Sequence, residues 1–183
     1  MNRSFHAPDG AHFVLVGLPG AGKSTVGVAL SHRLRWPFLD FDHEIARRAG
    51  MSVAEIFDRE GERSFRNREM DLTRELVGTR PMVLSPGGGW VVNEGAMELL
   101  RPPSRIIHLR VSPEYALERV LRSRTIRPLL ATPDPRAVMQ RIWDTRSHLY
   151  NQANFVVDAE NLDIKQLTEI VVELAARDAS GLG

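Results

Sequence analysis

The chain has 183 residues, with 24 lysines and arginines against 23 aspartates and glutamates and no cysteine. That length bounds the chain to about one domain with a substantial core. The cysteine count excludes a disulfide framework, a thiolate metal site and a cysteine nucleophile, and a net charge of +1 supplies no bulk field toward nucleic acid or an anionic membrane. Of the 24 cations, 22 are arginine, and the only lysines are Lys23 and Lys165.

Short apolar runs alternate with longer helical patterns, the pattern of a parallel sheet with crossover helices. His12–Gly17 reads as a buried strand, followed by a glycine-rich turn and a helix to about Arg35. Phe38-Leu39 opens a second strand that ends at Asp40. Ser52-Val-Ala-Glu55 is a capping-box pattern for a helix from Val53, and Glu60 to about Thr79 is a long charged amphipathic helix. Pro81–Ser85 is a third strand running into Gly87-Gly88-Gly89. Arg105–Arg110 is a fourth, and Ser112-Pro113 caps and opens the next helix. Arg122–Pro135 breaks the rhythm with four arginines just in or beside it, three prolines and little helical periodicity; a loop this long suits a lid. Asn154–Asp158 is the fifth strand and Ile164–Arg177 a closing helix. The first eleven residues lack the apolar run of a signal peptide, and no stretch reaches the ~20 apolar residues of a spanning helix, so a cytoplasmic location is the expectation.

Gly17-Leu-Pro-Gly20-Ala21-Gly22-Lys23-Ser24-Thr25 matches G-x-x-x-x-G-K-[ST] in full. Its glycines let successive backbone N–H groups curl around one anion, at the positive end of the helix that follows. Lys23 reaches β- and γ-phosphates, and the Ser24 hydroxyl can ligate Mg²⁺. The nucleotide site therefore comprises Gly20, Ala21, Gly22, Lys23, Ser24 and Thr25, with ATP and Mg²⁺ as its expected occupants. No N-K-x-D segment for reading guanine is present, and Asp58-Arg-Glu-Gly61 lies between helical patterns rather than at a strand end. An early apolar strand ending in Asp-Glu, as in motor-type ATPases, is also missing. A small phosphotransferase remains.

Asp40-Phe41-Asp42 follows the second strand. Carboxylates at a strand's C-terminal end lie near the phosphate loop in a doubly wound sheet. One can hold Mg²⁺ through water and the other can accept a hydrogen bond from an acceptor hydroxyl, although Asp42 could equally cap the helix that follows. Arg66 and Glu69 are spaced to meet on one helix face; spacing alone favours a solvated surface pair. Three glycines at 87–89 allow close backbone approach to a ligand, or make a flexible turn. Arg146, four residues before Tyr150, has no role that spacing reveals. The six histidines show no metal-ligand spacing and are expected to be structural or surface groups.

Taken together, GLPGAGKST, the Asp40/Asp42 pair, IFDREGERSFRNRE, the glycine triplet, IRPLL and TRSHLY occur in an order and at spacings that resemble the shikimate kinases, over about residues 12–175. The resemblance implies an α/β three-layer P-loop kinase fold: a five-stranded parallel sheet of order 2-3-1-4-5 flanked by helices, with a short lid. The domain would span 1–183, with a core at about 12–177, acceptor-binding helices at 42–79 and the lid at 122–135. It implies ATP-dependent phosphorylation of shikimate to shikimate 3-phosphate in aromatic amino-acid (chorismate) biosynthesis. The roles it carries are catalytic for Lys23, Asp42 and Arg127, and shikimate-binding for Asp42, Arg66, Gly87, Gly88, Gly89 and Arg146. Arg127 would meet the transferring phosphate beside the nucleotide, Ser24 and Asp40 (through water) would serve Mg²⁺, Glu69 would hold Arg66, and Phe57 and Phe65 would line the ring pocket. The implied partners are small molecules acting on a monomer, with no nucleic acid or membrane. Phe41, bulkier than the small residue expected inside the aspartate pair, and Pro86 and Trp90, flanking the glycine triplet, depart from the family pattern; Trp90 could be core or could narrow the acceptor pocket.

Two other readings fit the core. A gluconate-type kinase shares its shape and also takes a polyhydroxy carboxylate. A non-catalytic ligand-sensing domain of the same form is disfavoured by Lys23, Asp42 and Arg127, and by the mere eleven residues ahead of the first strand, which leave no room for a DNA-binding domain.

Overall fold

The computed structural model describes residues 11–123, 130 and 132–179, with backbone only over 175–179. The five strands are β1 (Phe13–Val16), β2 (Phe38–Asp40), β3 (Val83–Ser85), β4 (Arg105–Arg110) and β5 (Phe155–Asp158). They form one parallel sheet of order β2-β3-β1-β4-β5, as expected. All four residues of β1 and the three of β3 are buried, which is why these strands read as unbroken apolar runs rather than alternating ones. Around the sheet run α1 (Lys23–Leu34), α2 (Phe41–Ala49), α3 (Val53–Leu76), α4 (Ala96–Leu100), α5 (Pro113–Arg122), α6 (Pro135–Tyr150) and α7 (Ile164–Ala179).

Local chemistry sets the helix starts. The Ser52/Glu55 capping box is complete, with the Ser52 hydroxyl accepting from Glu55 N and the Glu55 carboxylate accepting from Ser52 N. Ser112 caps α5 ahead of Pro113. The two helical stretches expected over 53–79 meet at Gly61, whose φ of 82° and ψ of 168° no L-residue adopts readily, so that α3 is two helices joined across a kink. At α2 the expectation changes: Asp40, not Asp42, is the N-cap, accepting from His43 N at 3.3 Å. Asp42 lies two residues past that cap, within the first turn of α2. A one-turn 3₁₀ helix over Trp90–Val92 and the short α4 lie between β3 and β4, where the sequence carried no helical period.

Trp90 is core. It is fully buried, meets Phe41 edge-on at 6.5 Å, and its indole N–H donates to Thr73 Oγ1 at 2.9 Å. Two of the three departures from the family pattern thus pack on each other, and neither lines the two site pockets.

His108, in β4, is fully buried, and neither ring nitrogen has a hydrogen-bond partner among the described residues. Its ring stacks on Tyr150 at 5.2 Å and faces Trp143 at 6.5 Å. Burial lowers its pKa to about 4, with Arg110 and Lys23 pushing the same way and Asp158 opposing. The unfolded chain binds this proton from about pH 6.5 downward and the folded chain does not, so the stability due to a neutral imidazole is complete above pH 6.5 and is lost as pH falls toward 4. The full loss is roughly 3 kcal/mol. His108→Leu is therefore expected to flatten the fall in unfolding free energy between pH 7.5 and 4.5, measured by urea denaturation. Equal acid sensitivity in both proteins would mean that the imidazole is not held neutral.

Candidate active site

The C-terminal ends of β1, β2 and β3 open on one side of the sheet, beside the point where the chain order reverses, which is where ligands bind in open α/β sheets. Two adjoining pockets lie there. One, of about 790 Å³, is lined by Gly20, Gly22, Lys23, Ser24, Thr25 and Asp40 among others. The other, of about 590 Å³, is lined by Phe57, Phe65, Arg66, Glu69, Leu130 and Arg146 among others. Asp42, Gly87 and Gly88 line both.

In the first pocket the Lys23 ammonium donates to the carbonyls of Gly17 and Leu18, each at 3.0 Å, and the side chain is nearly buried. Ser24 Oγ donates to Asp40 Oδ2 at 2.6 Å and lies 3.4 Å from Ser85 Oγ. A hydroxyl and a carboxylate held together are hard oxygen donors, and Mg²⁺ is normally bound by one or two such groups, with water and substrate phosphates completing the shell. The residues fit that ion. Among the described residues no group of three histidines or carboxylates forms a complete protein cage, as a phosphate-completed site requires none. Ala21 is buried and its N–H donates to Leu18 O at 3.1 Å, inside the loop's own turn. Arg119 also lines this pocket, its guanidinium lying over the Tyr115 ring and beside Gly22.

The second pocket is organised by a buried ion pair. Glu69 is fully buried, and its Oε2 accepts from Arg66 Nη1 at 2.7 Å and from Asn93 Nδ2 at 2.9 Å. Burial raises the Glu69 pKa, with the nearby Asp42 charge adding to the rise, while Arg66 and Asn93 oppose it. Spacing alone favoured a solvated Arg66–Glu69 pair; the fold makes it an interior one, because α3 turns this face inward against the glycine triplet. Arg66 is held by Glu62 as well, at 2.8 Å, and lies over the Phe65 ring. Gly89 leaves the room that this guanidinium fills: a Cβ there would lie 2.3 Å from Arg66 Nη2.

On the opposite wall, Arg146 Nη1 donates to Gly88 O at 3.2 Å and the buried Tyr150 hydroxyl donates to the same carbonyl at 2.6 Å. Burial pushes the Tyr150 pKa up to about 12, so it stays a donor. Both lone pairs of that carbonyl are used, which sets the plane of the Gly88–Gly89 peptide. The one-turn spacing of Arg146 and Tyr150 now has a reason: both reach one glycine. The structure thus brings every described member of the expected site to this side of the sheet. Arg127 lies outside the described residues. Ser85, Asn93 and Tyr150 enter the site without having been singled out for it; each acts across a long sequence separation, and only the one-turn spacing of Tyr150 from Arg146 hinted at a shared target.

Comparison with known proteins agrees with this geometry. The family model described as shikimate kinase matches residues 19–176. A shikimate kinase of Cupriavidus pinatubonensis is 39% identical over 158 residues, covering 86% of this chain and 82% of the relative. One from Bordetella pertussis is 42% identical over 156 residues, covering 85% and 74%. Among solved structures, a shikimate kinase from Acinetobacter baumannii in complex with shikimate superposes with a TM-score of 0.87 at 32% identity, covering 94% of this chain and 96% of that one. A loop built to hold phosphates, two arginines beside a glycine triplet and this similarity over nearly the whole chain lead to one assignment: the chain belongs to the shikimate kinase family.

Proposed function

We propose that this protein transfers the γ-phosphoryl group of ATP to a hydroxyl of shikimate, giving shikimate 3-phosphate and ADP in aromatic amino-acid biosynthesis. The observation that carries the reading is the position of Asp42 in the wall shared by the phosphate-loop pocket and the arginine-lined pocket. A carboxylate there faces the place where a nucleotide's terminal phosphate and an acceptor hydroxyl would meet.

Phosphoryl transfer has a loose transition state, so the protein chiefly positions groups and neutralises charge. Arg66 and Arg146 project from α3 and α6 onto one pocket and form two planar forks for the shikimate carboxylate. Gly87, Gly88 and Gly89 let the backbone form the floor. With the ring fixed by its carboxylate, one hydroxyl is presented to Asp42. A carboxylate is a weak base, so its larger contribution is to orient that hydroxyl and accept the proton late in transfer. Lys23 meets the β- and γ-phosphate oxygens, with Gly20, Ala21, Gly22 and Thr25 completing the loop around them. Ser24, and Asp40 through water, would hold Mg²⁺, which when bound would neutralise phosphate charge. Arg127, outside the described residues, would neutralise the transferring phosphate, and the lid expected over 122–135 would keep water from hydrolysing ATP. Residues 1–183 form one kinase domain, with a core at about 12–177 and acceptor helices within 42–79. It works as a cytoplasmic monomer on small molecules; among the described residues no helix is long and apolar enough to cross a membrane.

The direct test is ADP release with shikimate, quinate and gluconate side by side. Shikimate is expected to be strongly preferred, and a preference for gluconate would overturn the substrate reading. Lys23→Met is expected to lower turnover about 10²–10³-fold, as for the loss of one transition-state charge contact, with the circular dichroism spectrum unchanged. Arg146→Ala is expected to raise the shikimate KM roughly 10- to 100-fold, as for a lost charge-assisted hydrogen-bond pair, and to leave the ATP KM within about twofold. Gly89 has φ −97°, which alanine tolerates, so Gly89→Ala should fold yet displace the Arg66 guanidinium. The same kinetics should then show an acceptor KM raised about tenfold while the ATP KM stays put.

A further inference from the structure

Bonds from the turn that follows the glycine triplet converge on Glu69 from two sides. Trp90 Nε1 donates to Thr73 Oγ1 at 2.9 Å, and Thr73 Oγ1 donates to the Glu69 carbonyl at 2.7 Å. Asn93 Nδ2 donates to the Glu69 carboxylate at 2.9 Å. Asn93 is itself fixed by its backbone, its N–H donating to Trp90 O at 3.0 Å and its carbonyl accepting from Ala96 N at 3.1 Å. An ionised carboxylate only accepts, so it is the amide NH₂ that must face it.

The Glu69 carboxylate turns on a terminal torsion with broad, shallow wells. Arg66 Nη1 alone, at one oxygen, leaves that rotation open. Asn93 supplies the second point on Oε2 and leaves Oε1, which is buried and has no hydrogen-bond partner among the described residues, on the side of Gly87 and Asp42. The charged groups around this carboxylate are Arg66 on α3, itself held by Glu62, and Asp42 on α2, with Arg146 of α6 lining the same pocket. With two negative carboxylates so close, orientation decides how firmly Arg66 is held and whether Glu69 keeps its charge.

We propose that Asn93 is a positioning residue for the acceptor site: its side-chain amide locks the rotation and the charge of the buried Glu69 carboxylate, and through it the aim of the Arg66 guanidinium. This rests on reading the arginine-lined pocket as the shikimate site. It assigns to a residue beyond the glycine triplet a share in acceptor recognition, without contact with the acceptor.

Asn93→Leu removes the amide at similar size, and Asn93→Asp places a further negative charge against Oε2. Both keep the backbone bonds of the turn. The readouts are KM for each substrate and the acid limb of kcat/KM for shikimate between pH 5 and 9. Asn93→Leu is expected to raise the shikimate KM about tenfold with the ATP KM within twofold, and to move the acid limb up by about one pH unit as Glu69 loses a donor that favours its charged form. Asn93→Asp should move the limb further. Normal activity of the unsubstituted protein with an unmoved limb and unchanged shikimate KM in both variants would overturn the role of Asn93 alone. So would equal rises in both KM values, or loss of folding in both variants, since either marks a merely structural contact. Absence of shikimate-dependent ADP release from the unsubstituted protein would instead remove the acceptor-site reading beneath it.

Discussion

A carboxylate buried to zero exposure beside a second carboxylate is the constraint around which the acceptor half of this protein is built. Removing Glu69 from water costs several kcal/mol unless the charge is matched and hydrogen-bonded. Arg66 at 2.7 Å and Asn93 at 2.9 Å do so. Once Arg66 is committed to Glu69 and Glu62, its guanidinium has little freedom, and the residue facing it must be glycine because any side chain would occupy the same space. The inward turn of α3 places that pair in the interior, and the pair in turn requires a small residue at 89.

The two pockets touch, sharing Asp42, Gly87 and Gly88, and are otherwise walled by different elements. The phosphate loop is held from the sheet side, by the end of β1 and the start of α1, whereas the acceptor pocket is held by α2, α3 and α6. Asp42 belongs to α2 but is free of capping because Asp40 does that work. The division of labour between two aspartates two residues apart depends on where the helix begins: Asp40 at the cap bonds Ser24, and Asp42, in the first turn, lines both pockets. The Gly88 carbonyl, tied to Arg146 and Tyr150, closes the wall between the pockets from α6.

Legibility in the sequence followed the range of the interaction. The capping box at Ser52 and Glu55 and the cap at Ser112 are satisfied within one turn, so both could be read directly. So could the buried strands, whose unbroken apolar runs reflect helices on both faces of the sheet. The Arg66–Glu69 spacing was visible, but not its burial, because i,i+3 contact is the same whether the helix face meets water or a neighbouring turn. Asn93 and Ser85 reach Glu69 and Ser24 across 24 and 61 residues, and no local pattern encodes such a meeting. Phe41 and Trp90 lie far apart in the chain, yet they meet edge-on in the core.

By itself, then, the sequence determined the phosphate loop, the parallel sheet and the family, since these rest on local backbone geometry and on runs of burial that repeat along the chain. Its two lysines divide accordingly: Lys23 has the place that a phosphate loop demands, and Lys165 lies on the closing helix. Only the tertiary structure decided which of the many arginine–carboxylate pairs is interior, which aspartate caps and which is left for chemistry, and that Trp90 supports α3 instead of bounding a pocket. The reason is that dehydration of a charge is a property of what packs around it, and those neighbours come from segments far apart in the chain.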